Sequence, residues 1–322
     1  MELLFLGTSS GVPTKQRNVT ALALLAGNAR DWYLIDCGEG TQHQLLHTPL
    51  SLRHLRAICI THVHGDHCFG LPGLLASAAM SGRVEPLTLI APQALLDWMA
   101  ATQAQTTLFL PFALQMIAVE SFAGWHDQSL HVSATALSHR VPSYAYSFAE
   151  TSFVTSLNSD KLRQENIPAG EIWGRLQKGQ DVQFQGRVLL SNEYLSHPYP
   201  LKKIVVGGDN DQPELLREAC VGAQVLVHEA TYTQEVAKKV GPQVQHSCAA
   251  QVAQFAQSIG LPHLILTHFS PRYQHDLSSS PSIADIEREA SGYYQGQLFL
   301  AADFARYKLD KEGVLALLAA PA

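Results

Sequence analysis

Short apolar runs alternate with amphipathic stretches along most of the chain. Runs that are continuously apolar, or that alternate apolar with polar, predict strands at 2–6, 19–25, 32–36, 57–60, 87–90, 131–137, 143–149, 204–206, 224–227, 264–267 and 297–301. Helical spacing of the apolar positions predicts helices at 41–47, 71–80, 93–103, 213–220, 247–259 and 282–290. Strands crowd the stretch before Thr151 as hairpin-like neighbours, while helices are interspersed throughout. Two β layers covered by helices accommodate that order; a simple doubly wound sheet does not. The stretch 151–200 breaks the pattern. It is polar, interrupted by Pro168, Gly170, Gly174, Gly179, Gly186 and Pro198, and offers only two weak runs, 160–165 and 181–190. Core-type strands resume after it, so it reads as an arm inserted into one body spanning 1–322.

Composition narrows the class. With 322 residues, 46% of them hydrophobic and 16% charged, the chain has enough apolar material for a large core. No fixed-period repeat is present, and the Gly and Pro content excludes collagen-like or disordered classes. No apolar run has bilayer length, and the start has neither a basic segment nor a long apolar one, so a soluble, cytoplasmic protein is expected. Five cysteines (Cys37, Cys59, Cys68, Cys220, Cys248) lack paired CxxC spacing, which argues against a disulfide framework or a zinc ribbon. The net charge of -6 gives no global attraction for a polyanion, so any nucleic-acid surface must be local. Fifteen histidines are many for this length, and their placement carries the chemistry.

Thr61-His62-Val63-His64-Gly65-Asp66-His67 directly follows the apolar run Ala57-Ile58-Cys59-Ile60. On a helix, His62 and His64 would point apart, whereas a loop in which Gly65 takes a positive φ lets four side chains converge. Imidazoles and a carboxylate suit Zn²⁺ and its first-row neighbours. Four ligands cannot all serve one metal that keeps a position open for water, so a second metal and further ligands are expected. His139, Asp209 and His268 supply them, each just past a predicted strand. Ligands projecting from the carboxyl ends of several strands suit a preformed two-metal site.

HxHxDH with a later His, Asp and His resembles the metallo-β-lactamase superfamily, an α/β fold built as a four-layer αβ/βα sandwich. Within it the chain is most similar to the short form of RNase Z, the tRNA 3′-processing endoribonucleases. The likeness runs nearly end to end: Met1 to Thr8, Pro13 to Thr20, Asp36-Cys37-Gly38-Glu39-Gly40-Thr41-Gln42-His43-Gln44, Thr61 to Leu75, Val227-His228-Glu229-Ala230-Thr231, His246-Ser247 and Leu266 to Tyr273. It implies that His62, His64 and His139 bind one divalent ion, that Asp66, His67 and His268 bind the other, and that Asp209 bridges them. Zn²⁺ is the expected metal, with Mn²⁺ or Co²⁺ as substitutes. The implied reaction removes the 3′ trailer of precursor tRNA and leaves a 3′-hydroxyl, with Asp66 as general base and His246, oriented by Glu229, as general acid. Lys15, Arg17, Asn18 and Arg272 would meet flanking phosphates. The arm would grip tRNA, and a homodimer is expected.

The sequence departs from the family in two places. Asn210-Asp211 stands after Asp209 where Thr is usual, and the extra carboxylate either tunes the metal site or caps a helix beginning near Pro213. In the arm, Glu171 occupies a position where Pro is expected. Between Glu150 and Pro200, Lys161, Arg163, Arg175, Lys178 and Arg187 face Glu150, Asp160, Glu165, Glu171, Asp181 and Glu193, a near-neutral balance that predicts weak or strongly salt-sensitive tRNA binding. Two other functions fit the same motifs: hydrolysis of a small phosphodiester, and RNA binding without catalysis.

Overall fold

A computed structural model describes residues 1–27, 30–127, 129–151, 156–196, 199–274 and 279–319. Every predicted strand forms, to within two residues at either end. Eight strands make the first sheet, in the spatial order Leu315–Leu318, Arg306–Leu309, Glu2–Gly7, Ala21–Leu25, Trp32–Ile35, Leu55–Cys59, Leu87–Ala91, Leu114–Ala118. Seven make the second: Gln297–Leu300, His263–Thr267, Val225–Glu229, Lys203–Val206, Ser143–Glu150, Leu130–Leu137, Trp125–His126. Each sheet has a parallel half, so several strands deliver their carboxyl ends to one edge of the molecule.

The strands are buried on both faces, which explains their nearly continuous apolar character. In Glu2–Gly7, Leu3 and Phe5 join the cluster between the sheets while Leu4 and Leu6 turn to the outer helices. Tyr33 and Ile35 of the first sheet meet Phe148, Val206 and Ile265 of the second in that central layer. Outside the first sheet, Leu71–Met80 and Gln93–Gln105 pack through Leu74, Leu75, Leu95 and Met99. Outside the second, Ala249–Ser258 and Ile283–Ser291 pack through Val252, Phe255 and Ile286. Each fully buried aliphatic side chain contributes about 1.5–3 kcal/mol. The layering is that of the expected αβ/βα sandwich.

Three strands of the first sheet escape the apolar-run criterion: Leu114–Ala118 and Leu315–Leu318 at its two edges, and Arg306–Leu309 next to the second of these. Edge strands are half solvated, and Arg306 and Lys308 interrupt the pattern because both pair with Glu2 on the neighbouring strand. The helix expected over 213–220 is a correction. Only Pro213–Leu216 forms a 3₁₀ turn. Leu216, Cys220 and Ala223 dock on the second sheet, and Gly222, at φ 72°, turns the chain into strand Val225–Glu229 too soon for a regular helix to complete.

Within 151–200, the run 160–165 becomes helix Ser159–Gln164, and 181–190 becomes the hairpin Val182–Phe184 with Arg187–Leu189. A further helix, Glu171–Gln177, completes a cluster of Leu162, Ile167, Leu176, Val182, Leu189 and Tyr194, separate from the three clusters of the sandwich. Glu171 opens that helix, where a carboxylate suits the positive end of the dipole and replaces the φ-fixing role of Pro. Pro198 of the same stretch lies outside the described residues, as do His197 and His275. No helix among the described residues is long and apolar enough to cross a membrane.

Candidate metal centre

The motif after strand Leu55–Cys59 runs as an extended link through His64 and then one helical turn, Gly65–Cys68. Gly65 therefore does not use the positive φ expected of it; the link and the turn together aim His62, His64, Asp66 and His67 at one place. Asp209 follows Lys203–Val206 through Gly207-Gly208. A Cβ on Gly208 would stand 2.6 Å from Thr61 Cβ and 2.8 Å from the Tyr144 carbonyl, so only glycine lets the two strand ends approach. Asp36, Gln245 and His268 hold left-handed φ values of 59°, 50° and 58°. Non-glycine residues adopt that region at a cost, and all three face the site.

Two groups of donors result. In the first, His64 Nδ1 lies 3.1 Å from His62 Nε2 and 3.2 Å from His139 Nε2. Asp209 Oδ2 closes the group at 3.5 Å from His62 and 3.6 Å from His139. In the second, His67 Nε2 and His268 Nε2 are 3.2 Å apart, with Asp66 Oδ2 at 3.5 and 3.4 Å from them and Asp209 Oδ1 at 3.4 Å from both. Donors bound about 2.0–2.1 Å from a tetrahedral Zn²⁺ stand about 3.3 Å from one another. The two oxygens of Asp209 are thus divided between the groups. All seven expected ligands are brought together.

The far nitrogens of His62, His67, His139 and His268 are occupied as well, which fixes the orientation of these rings. Asp36 Oδ2 accepts from His67 Nδ1 at 2.6 Å and from the Thr61 hydroxyl at 2.9 Å, and that hydroxyl accepts from His62 Nδ1 at 2.9 Å. Thr231 does the same across the site, accepting from His268 Nδ1 at 3.0 Å and donating to Glu229. His139 Nδ1 donates to the Gln245 carbonyl at 2.8 Å.

Electrostatics favours cations here. Burial holds the proton affinities of His62, His64 and His139 below the usual imidazole value, which leaves lone pairs available. Burial would lower His67 too, but Asp209, Asp66 and Asp36 overcome it and push its pKa up to about 10. Burial would raise Asp66, yet His67 and His268 hold it well below the carboxylate range. Three carboxylates crowd one fully buried imidazole. Buried charge of one sign is costly unless compensated, and divalent cations between these donors would compensate it. The donor set fits two such ions.

Known proteins resemble this chain over much or most of its length. A family model described as "Anti-Pycsar protein Apyc1" matches residues 1–166. Ribonuclease Z of Pseudomonas putida (strain GB-1) is 54% identical over 315 residues, 98% of this chain and 99% of that protein. Ribonuclease Z of Bacillus subtilis (strain 168) is 39% identical, covering 90% of this chain and 93% of its own. The chain belongs to the ribonuclease Z family. The crystal structure of human tRNase Z, short form, aligns with a TM-score of 0.65 at 25% identity, over 96% of this chain and all of that one.

Set against the ribonuclease Z expectations, the outer residues divide. His246 and Glu229 meet as expected: Nδ1 donates to Oε1 at 2.9 Å, and Nε2 is left to the clefts that His246 lines. Glu229 also accepts from the Asn210 amide, so its carboxylate serves both the histidine and the strand-end backbone. Burial would lower the His246 pKa, but Glu229 and Asp209 raise it to about 9. Lys15 is exposed, and Arg272 is exposed with its guanidinium 5.1 Å from the Tyr232 ring centre.

Arg17 is a correction: it is 4% exposed and donates to the Tyr273 carbonyl, with Phe269 beneath its guanidinium. Its chain packs inward because the Asn18 amide anchors the loop on Asp303 at 2.6 Å. Asn18 likewise turns its side-chain amide onto the Glu39 carbonyl. Asp211 neither joins a donor group nor caps the turn at Pro213, where Asn210 Oδ1 accepts from Gln212 instead. Residues that the sequence reading passed over are Asp36, Thr61, Thr231, Gln245 and Arg140. Asp36, Thr61 and Thr231 lie inside quoted segments at strand ends, and only that position signalled them.

Since Asp36 orients one imidazole of each donor group, Asp36→Asn should weaken metal binding by roughly 10–100-fold, the usual effect of losing such a partner. Competition titration of the metal-free protein with a chelating dye measures it. Unchanged affinity at both positions would refute the role.

Proposed function

We propose that the protein is a metal-dependent endoribonuclease that removes the 3′ trailer of precursor tRNA, with a 3′-hydroxyl left on the tRNA and a 5′-phosphate on the trailer. The observation that carries this reading is the division of the Asp209 oxygens between two His/Asp groups, at the edge of a ribonuclease Z fold. In it His62, His64 and His139 hold one ion, Asp66, His67 and His268 the other, and Asp209 spans both. Zn²⁺ is the proposed metal, with Mn²⁺ or Co²⁺ able to replace it. Bound there, the ions supply a water of lowered pKa and a clamp on the phosphodiester oxygens.

The chain's own groups handle the protons. Asp66, held ionised, takes the proton of the attacking water. As the water oxygen bonds to phosphorus and the bond to the 3′-oxygen breaks, His246 gives its proton to that oxygen. Glu229 keeps the imidazole charged and fixed through Nδ1, so that Nε2 faces the leaving group.

The segment of about 151–200 is read as a tRNA-gripping arm on a single body spanning 1–322. Lys161, Arg163 and Arg187 are paired with acids of the same arm, which leaves Arg175 and Lys178 for phosphate and supports the expectation of a weak, salt-sensitive grip. A homodimer is proposed through the groove beside Leu46 and Met80, whose side chains are 80% and 89% exposed. The cytoplasm is the proposed site of action.

Precursor tRNA cleavage with end mapping tests the reading, in Zn²⁺, Mn²⁺ and Co²⁺. Wild type should cut and Asp66→Ala should lose at least a hundredfold in rate. Turnover of bis(p-nitrophenyl) phosphate without tRNA cleavage would replace the reading with hydrolysis of a small ester, and tRNA binding with neither activity would make the protein a non-catalytic binder.

Glu229 raises the proton affinity of His246, so Glu229→Gln lowers it and the acid form is lost at lower pH. The alkaline limb of the kcat profile should therefore move to lower pH by about a unit or more, the shift expected when a neighbouring opposite charge is removed. A limb that stays in place with metal content intact removes His246 from the role. Leu46→Glu with Met80→Glu should yield a monomer in sedimentation; a dimer that survives would place the interface elsewhere.

A further inference from the structure

One cation at the mouth of the metal centre has no structural employment. Arg140 follows His139 beyond strand Leu130–Leu137, is exposed, and makes no hydrogen bond or ion pair with any described residue. It lines the same cleft, of about 410 Å³, as His64, Asp66, Asp209, His246 and His268. Its charge lies within electrostatic reach of His64, His246 and Tyr232. Arg17 is spent inside the fold, and Arg272 lies against the Tyr232 ring. Glu39 also lines the cleft, so its wall is polarised between an acid and an unpaired guanidinium.

We infer that Arg140 binds a non-reacting phosphate of the RNA, the one immediately 5′ of the scissile phosphate on the tRNA side. The inference rests on the proposed endonuclease reading. The leaving 3′-oxygen belongs to the last nucleotide of the mature tRNA, and His246 must stand beside it. Arg140 follows His139, whose ring centre lies 5.0 Å from that of His246, so the phosphate on the other side of the same nucleotide is the neighbouring one on its flank of the cleft. A guanidinium matches phosphate geometry with paired donors, and a free one so close to other cations of the cleft is relieved by an anion. That phosphate undergoes no charge change in the reaction. The contact is made equally in ground state and transition state, and it acts on substrate affinity rather than on the chemical step.

Arg140→Ala should raise KM for a precursor tRNA about tenfold while kcat changes less than threefold, and Arg140→Lys should recover part of the loss. A substrate with a methylphosphonate at that linkage should cost wild type the same factor and Arg140→Ala nothing further. In metal-free protein, the slope of log binding constant against log salt should fall by about 0.7 in Arg140→Ala, the contribution of one single-stranded phosphate contact. Equal sensitivity of both proteins to the methylphosphonate, or an unchanged salt slope, overturns the inference. Should wild type fail to cut precursor tRNA at all, the endonuclease reading falls, and the salt slope still decides whether Arg140 holds an RNA phosphate.

Discussion

The structure is organised around buried negative charge that the protein cannot neutralise alone. Asp36, Asp66 and Asp209 press on His67, whose side chain is 1% exposed, and among the described residues no arginine or lysine pairs with them. An apolar sandwich tolerates such a cluster only when something positive occupies its centre. The layered core, the glycine contact at Gly208 and the left-handed residues Asp36, Gln245 and His268 all serve to hold carboxylates and imidazoles closer than they would choose to stand.

Each sheet contributes one outer carboxylate, and the two are used alike. Asp36, from the first sheet, steers His67 directly and His62 through the Thr61 hydroxyl. Glu229, from the second, steers His246 directly and His268 through Thr231. A threonine thus lets one anion orient two rings. Because the residues come from strand ends on both sides of the shared core, the separation of the sheets sets the separation of the donors. Packing of Phe5, Tyr33, Phe148 and Ile265 is in this sense part of the chemistry.

What could be read from the sequence followed the cost of the residue type. Histidines and aspartates at strand ends are expensive, so His62, His64, Asp66, His67, His139, Asp209 and His268 stood out, and the structure gathers all of them. Thr61, Thr231 and the Gln245 carbonyl are ordinary in composition and gain meaning only from what they touch. Arg17 misled for the opposite reason: a basic residue in a loop looks solvated, and nothing local announces that Tyr273 and Phe269 will enclose it. Strand Arg306–Leu309 was hidden because its partner, Glu2–Gly7, lies at the other end of the chain, and the edge strand Leu315–Leu318 pairs in turn with Arg306–Leu309.

The segment between strands Ser143–Glu150 and Lys203–Val206 carries its own small core, built from Leu162, Ile167, Leu176, Val182, Leu189 and Tyr194. None of these side chains belongs to the clusters that set the donor positions. Its outward charges can therefore be rewritten by mutation without touching the machinery of bond cleavage. Selection is free to retune that surface while the donor positions stay constant.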